Sequence, residues 1–232
     1  TGSAHELRGC ISDAKNIRRF AIDAGWGDGD ITMMTDISGA PSVPTRGNIL
    51  REFRSMVRGI DAGRVGLFYY SGHGTYDFDR NGDELTGYDQ MLYSLDDAVV
   101  ADDELSQIIR SELKEGATLV ALTDCCFSGS LLDLKYSYKD SLHGGGTAQE
   151  TDMNANARAA DTRGDVIMIS GCHDLQTSAE ATIERAPQGA MTWAFLSSME
   201  VPGLSWRGLL DEMRSLLAER GFSQIPQLSS GR

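Results

Sequence analysis

Val65-Gly66-Leu67-Phe68-Tyr69-Tyr70 leads into Ser71-Gly72-His73-Gly74, and Ala117-Thr118-Leu119-Val120-Ala121-Leu122-Thr123 leads into Asp124-Cys125-Cys126-Phe127-Ser128-Gly129. Each apolar run is near-continuous, the pattern of a parallel strand buried on both faces. Each ends in a loop containing glycine. In open parallel sheets this carboxyl edge is where active sites are assembled. Side chains alternate along a strand, so Ser71 and His73 share one direction. Asp124 and Cys126 share another, and Cys125 faces a covering helix. A thiol and an imidazole are the groups a cysteine nucleophile requires. Their separation of 53 residues leaves room for a right-handed crossover helix between neighbouring parallel strands.

Working outward, strands alternate with helices. Ser12 is placed as the cap of a helix carrying Ile17, Phe20 and Ala21 and closing at Gly25. Ile31-Thr32-Met33-Met34 reads as a short strand. Ile49, Phe53, Met56, Val57 and Ile60 have helical spacing. Asp102 or Asp103 caps a helix with Leu105, Ile108, Ile109 and Leu113 on one face. Val166-Ile167-Met168-Ile169 is a further buried strand. Trp193-Ala194-Phe195-Leu196 belongs to a helix, and Trp206, Leu209, Leu210, Met213, Leu216 and Leu217 form an amphipathic one ending near Gly221. The alternation predicts an α/β sandwich, a mostly parallel sheet between two helical layers. Residues 136–164 are polar, rich in glycine and poor in aliphatics, and read as a long connecting loop.

The net charge is −13, which opposes nucleic-acid binding and suits cationic substrates or divalent cations. No apolar run is long enough to span a membrane, and no signal peptide is visible. Cys10, Cys125, Cys126 and Cys172 lack the spacing of a disulfide framework or a zinc site, so a reducing, cytoplasmic setting is expected. Asp77-Phe78-Asp79-Arg80-Asn81-Gly82 imitates the first half of an EF-hand loop, but its twelfth position is Tyr88 and a strand precedes it. It reads as an acidic turn.

On its two central motifs the chain resembles the metacaspases, caspase-like cysteine peptidases. A catalytic His about 50 residues before the Cys is the caspase arrangement. The likeness extends to Leu7-Arg8-Gly9-Cys10-Ile11-Ser12-Asp13-Ala14, Pro44-Thr45-Arg46-Gly47-Asn48-Ile49, Ser170-Gly171-Cys172-His173-Asp174, Gly189-Ala190-Met191-Thr192 and Pro226-Gln227-Leu228-Ser229-Ser230. It implies one caspase-like three-layer α/β domain over 1–232: a large-subunit-like region (1–135), a linker (136–164) and a small-subunit-like region (165–232). Two departures stand out. Phe127 occupies the position after the catalytic Cys where the family usually has His. The family's first apolar strand has no counterpart after Thr1, and a preceding segment is expected to supply it.

The resemblance implies site residues. His73 and Cys126 form the catalytic dyad, with the backbone N–H groups of Gly74 and Cys126 as the oxyanion hole. Asp13 and Asp124 form an acidic pocket, lined also by Ser71 and Cys10, that takes Arg or Lys before the cut. Two carboxylates suit a guanidinium or an ammonium. Asp89, Asp102, Asp103 and Asp133 resemble the aspartates that bind calcium in type I metacaspases. Lys139, Arg158 and Arg163 are candidate self-cleavage points in the linker of a zymogen. Cys172 and His173 are read as structural, His5 and His143 as solvent-exposed. The expected activity is a calcium-dependent, monomeric cysteine endopeptidase acting on peptides or proteins with Arg or Lys at the cut. The alternatives are a catalytically weak scaffold of the same fold and a calcium-sensing module.

Overall fold

A computed structural model describes residues 7–79, 87–125, 131–140, 151–156, 159–171, 180–183 and 186–232. In chain order the elements are α1 (Cys10–Asp23), α2 (Arg46–Gly59), β1 (Val65–Ser71), β2 (Gly74–Phe78), β3 (Tyr88–Tyr93), β4 (Val99–Ala101), α3 (Asp102–Glu112), β5 (Thr118–Asp124), β6 (Tyr136–Asp140), β7 (Thr151–Ala155), β8 (Asp165–Ser170), β9 (Glu180–Ile183), β10 (Ala186–Gly189), α4 (Ala190–Ser198), α5 (Trp206–Glu219) and β11 (Gln227–Ser230). A short 3-10 turn at Asp28–Asp30 follows α1.

The main sheet has the order β1-β5-β8-β11-β6-β7. β1, β5 and β8 pair in parallel, as their unbroken apolar sequences predict. β11 runs antiparallel to β8, and β6 antiparallel to β11. The sheet is therefore mixed, with four of its six strands pointing the same way. Two apolar layers cover it. On one face Leu119, Ala121, Cys125, Val166 and Met168 pack with Ile49, Phe53 and Val57 of α2 and Leu105, Ile108 and Ile109 of α3. On the other, Val120, Leu122 and Ile169 pack with Ile17 of α1, Met191, Ala194 and Phe195 of α4, and Leu209, Leu210, Met213 and Leu217 of α5. The expected α/β sandwich is thus present. Cys125 is buried on the α2–α3 face, as strand alternation requires.

Three expectations are corrected. Ser12 does not cap α1. The helix begins three residues earlier, with Gly9 as its N-cap and no side-chain cap bond. A Cβ on Gly9 would lie 3.0 Å from the Gln188 backbone, so β10 leaves no room there for a capping side chain. Residues 31–34 begin extended at Ile31 but pair with no strand among the described residues. Strand propensity does not supply a partner, and Met34 instead packs against the core. Residues 136–164 are not simply a loop. β6 pairs with β11 and β7 with β6, widening the sheet by two strands. An edge hairpin needs few aliphatics, and Tyr138 is the residue that meets the apolar layer.

A second sheet, β2-β3-β4, follows β1 directly. Its inner end is fixed by fully buried Leu92 and Val100. Its outer end carries an aromatic cluster, Tyr76 edge-on to Tyr88 at 5.1 Å and Phe78 beside Tyr88 at 5.4 Å.

Candidate active site

β1 and β5 end level with one another, Ser71 opposite Asp124. The Gly72 N–H reaches back to the Asp124 carbonyl at 3.4 Å, so both motifs leave the sheet at one point. The next residue, His73, is exposed. Its backbone is tethered on the far side: its carbonyl accepts from the Tyr93 N–H (3.0 Å) and from the Tyr70 hydroxyl (2.8 Å), which also lies 2.8 Å from the Tyr93 carbonyl. Burial, with Cys125 and Cys10 nearby, pushes the Tyr70 phenol well above its usual range, so it stays a neutral donor. Gly74 opens β2 opposite Leu92. Cys126 lies outside the described residues, as do Arg158, Cys172, His173, His5 and His143.

The acidic pair is brought together. Asp13 sits in the first turn of α1 and Asp124 at the end of β5, and both are almost wholly buried, at 1% and 5% exposure. They meet at the N-terminus of α4. Asp13 Oδ2 accepts from the Gly189 N–H at 2.8 Å. Asp124 Oδ2 accepts from the Thr192 N–H at 3.0 Å and the Thr192 hydroxyl at 2.7 Å. A Cβ placed on Gly189 would overlap Asp124 Oδ2 and lie 3.0 Å from Asp13 Oδ2, so both carboxylates press on one bare Cα. Ionised neighbours in a dry setting repel unless donors or a cation compensate. The α4 N-terminus, which has no capping side chain of its own, supplies N–H donors and the positive end of the helix dipole. The Tyr69 hydroxyl joins the same network, 2.8 Å from the Thr192 hydroxyl, and Ser71 stands opposite Asp124 at the end of β1. Cys10, half-buried, opens α1 one turn before Asp13.

The sequence reading missed three of these participants: Tyr69, Gly189 and Thr192. Gly189-Ala190-Met191-Thr192 stood out as a motif without a role. Only the packing of α4 against the ends of β5 and α1 gives it one.

The second acidic group gathers Asp89, Asp102 and Asp133. Asp102 is 1% exposed, and its carboxyl is pushed up to about 8, first by burial, then by Asp133 and to a smaller extent Asp89. The backbone N–H groups of Gln90 and Asp103, which Asp102 accepts, act in the opposite direction. Asp133 is 7% exposed and adopts a left-handed backbone (φ 47°). Asp103 is exposed. Neither Asp102 nor Asp103 is the cap of α3; they occupy its first turn, and Ala101 is the N-cap. Glu104 provides the local cap by accepting from the Ala101 N–H at 3.4 Å. The group offers a set of hard oxygen donors, which suits Ca2+, and the charges of Asp133 and Asp89 add to burial in raising the Asp102 carboxyl. Among the described residues, no three acidic, imidazole or thiol side chains already stand around one point as ligands. Asp77, from the EF-hand-like segment, lies in β2 opposite Asp89; residues 80–82 of that segment are outside the described residues.

Of the linker residues, Lys139 lies in β6 opposite Asp152. Arg163 is exposed in the turn before β8, where its carbonyl accepts from Arg232 at 3.3 Å. No helix among the described residues is long and apolar enough to cross a membrane.

Comparison with known proteins gives the family. The Caspase domain model (Peptidase_C14) matches residues 1–232. Metacaspase-1 of Scheffersomyces stipitis is 36% identical over 272 residues, covering 98% of this chain and 67% of that protein. Metacaspase-1 of Mycosarcoma maydis is 35% identical, with 99% and 67% covered. The chain therefore spans about two thirds of the length of these relatives. Among solved structures, protein GSU0716 of Geobacter sulfurreducens superposes with a TM-score of 0.69 at 20% identity, covering 99% of this chain and 86% of that one. Caspase-1 of Spodoptera frugiperda gives 0.61 at 14% identity, with 97% and 79% covered, and supports the fold. A mixed sheet between two helical layers, two motifs leaving it side by side and a match along the entire sequence converge on one statement: the chain belongs to the caspase family of cysteine peptidases, with metacaspases among its relatives.

Proposed function

We propose that this protein is a calcium-dependent endopeptidase that cuts polypeptides after Arg or Lys. The observation that carries the substrate preference is the pair of buried carboxylates, Asp13 and Asp124, converging beside the edge where His73 leaves the sheet. An arginine or lysine side chain is the complement of such a pair, through charge-assisted bonds that a neutral or acidic side chain lacks. An aspartate entering there would meet like charge.

In the reaction the Cys126 sulfur attacks the scissile carbonyl carbon, and His73 holds the thiol proton. The carbonyl oxygen, now anionic, is met by the N–H groups of Gly74 and Cys126. Collapse breaks the C–N bond, His73 gives its proton to the leaving amine, and water then releases the acyl group from sulfur. The tether from Tyr70 and Tyr93 to the His73 carbonyl fixes the backbone from which the imidazole works. Self-processing would fall within 136–164. Cutting at Lys139 requires the β6–β7 hairpin to open, because a scissile segment must be released from its ladder. Arg163, exposed and outside the ladder, is the more accessible of the two described candidates.

The test compares fluorogenic peptides ending in Arg, Lys or Asp, with calcium and with chelator. Arg and Lys substrates are expected to exceed Asp substrates in kcat/KM by roughly 100-fold or more, the discrimination available to a site built around paired polar groups. A preference for Asp, or turnover indifferent to calcium, would overturn the reading.

Asp89, Asp102 and Asp133, with Asp103 beside them, would hold the calcium, and the ion would offset their mutual repulsion. This has a consequence independent of turnover. With its carboxyl raised from 3.8 to about 8, Asp102 makes the cation-free folded state bind more protons than the unfolded state between those values. Stability in chelator is then greatest below about pH 4 with respect to this group and falls as pH climbs toward 8. Asp102→Asn is expected to raise Tm in chelator at pH 8 by at least ~2 °C, about 1 kcal/mol for a chain of this size. Calcium should raise the wild-type Tm but not that of the variant. Calorimetry showing no calcium effect on the wild type would refute the assignment.

A further inference from the structure

Thr192 occupies the first turn of α4, and its hydroxyl stands between two partners. It donates to Asp124 Oδ2 at 2.7 Å and lies 2.8 Å from the Tyr69 hydroxyl. A threonine hydroxyl has one hydrogen and a carboxylate oxygen only accepts. That hydrogen therefore goes to Asp124, and Tyr69 donates to Thr192. Burial, followed by the charges of Asp124 and Asp13, holds the Tyr69 phenol well above its usual range, so it keeps its proton. A hydrogen-bonded chain thus runs from Tyr69 in β1, through Thr192, to Asp124 at the end of β5. The Thr192 N–H adds a second bond to the same carboxylate oxygen at 3.0 Å. The terminal torsion of an aspartate is soft. Two donors converging on Oδ2 remove that freedom, and the chain behind them polarises each bond in the same sense.

We propose that Thr192, backed by Tyr69, is the positioning residue that fixes the plane of the Asp124 carboxylate for recognition of the substrate's cationic side chain. The C-terminal region would then set the selectivity of a pocket whose two acids come from the N-terminal region. The proposal rests on the Arg/Lys reading above and sharpens it. A guanidinium is planar and forked, and it gains most from a carboxylate held in a matching plane. An ammonium is a compact charge that tolerates rotation. Loss of the Thr192 hydroxyl should therefore harm arginine far more than lysine.

Thr192→Val keeps the shape and the N–H and removes the hydroxyl. It is expected to lower kcat/KM for Arg peptides by at least about 10-fold, the lower end of what losing one hydrogen bond to a charged group costs, through KM rather than kcat. Lys peptides should lose about threefold or less. Thr192→Ser should restore the wild-type Arg-to-Lys ratio. Tyr69→Phe, which leaves both Thr192 donors in place, should fall between the two. The second arm needs no turnover: calorimetric binding of benzamidine, a planar amidinium, to the Cys126→Ala protein. Its affinity should drop about tenfold with Thr192→Val and recover with Thr192→Ser. If Thr192→Val lowers only Tm and leaves the Arg-to-Lys ratio and benzamidine affinity unchanged, the positioning role is wrong while the pocket stands. If benzamidine fails to bind the parent protein, and Arg and Lys peptides are not preferred, the pocket reading fails and this inference with it. Should Thr192→Val not fold, Thr192→Ser and Tyr69→Phe carry the same comparison, and a wild-type ratio in Tyr69→Phe would refute the backing chain.

Discussion

Cys126→Ala is expected to remove hydrolysis after Arg and Lys altogether, and His73→Ala to lower kcat by on the order of 10²–10⁴-fold, the usual contribution of a positioned acid–base group. Both should leave benzamidine affinity near the wild-type value, and His73→Ala should leave KM near it too, because the recognition carboxylates belong to α1 and β5 and are held by α4. The same argument predicts no large change in Tm. His73 is exposed, and what anchors this stretch is its backbone carbonyl, which accepts from Tyr93 and Tyr70 whatever side chain is present. Stopped-flow acylation by an Arg ester, with melting curves for each variant, checks the set. The double variant should behave like Cys126→Ala alone, since a base without its nucleophile has nothing to activate. Retained turnover in Cys126→Ala would move the chemistry elsewhere on the molecule.

How far these residues could be read from sequence depends on how local their cause is. β1, β5 and β8 were legible because a strand buried on both faces needs an unbroken apolar run, and that run is visible without its partners. α2, α3 and α5 were legible through the spacing of Ile49, Phe53 and Val57, of Leu105, Ile108 and Ile109, and of Leu209, Leu210, Met213 and Leu217. The failures share the opposite property. β6 and β7 exist because β11 offers an unpaired edge, which Tyr136-Ser137-Tyr138 does not announce. Residues 31–34 have strand composition, yet among the described residues they pair with no strand, and Met34 packs against the core instead. Ser12 has capping chemistry, but the close approach of β10 to Gly9 sets the start of α1 earlier. Asp13 and Asp124 were identified by resemblance to a family motif. The donors that make their burial tolerable come from α4, 176 and 68 residues away respectively, where no periodicity or spacing points to them.

Gly189→Ala is expected to lower Tm by about 6–12 °C and kcat/KM for Arg peptides by 100-fold or more, although it adds one methyl group. The backbone does not object: with φ −68° and ψ 132°, Gly189 is in a conformation any residue adopts. The cost is contact. The new Cβ would overlap Asp124 Oδ2, lie 2.9 Å from its Cγ and stand 3.0 Å from Asp13 Oδ2. Two rearrangements can relieve it. Asp124 can turn away, losing the Thr192 bonds, or β10 can retreat, losing the Gly189 N–H to Asp13. Overpacking costs about 1–3 kcal/mol, and losing a hydrogen bond to a charged group roughly 1.5–3 kcal/mol. A total near 3 kcal/mol corresponds to the stated Tm range at roughly 2–4 °C per kcal/mol. Gly208→Ala in α5 is the control: its Cβ would find its nearest neighbours at 3.4 Å in a helix, so Tm should hold or rise. The cause is isolated by the double variant. Asp124→Ala deletes the atoms that the Gly189 methyl strikes, so Gly189→Ala should cost much less stability in that background, a non-additivity of at least ~1 kcal/mol. Strict additivity of the two changes, measured by denaturant titration, would mean that the carboxylates and the start of α4 do not press on one another and that the acidic pocket is not built as described.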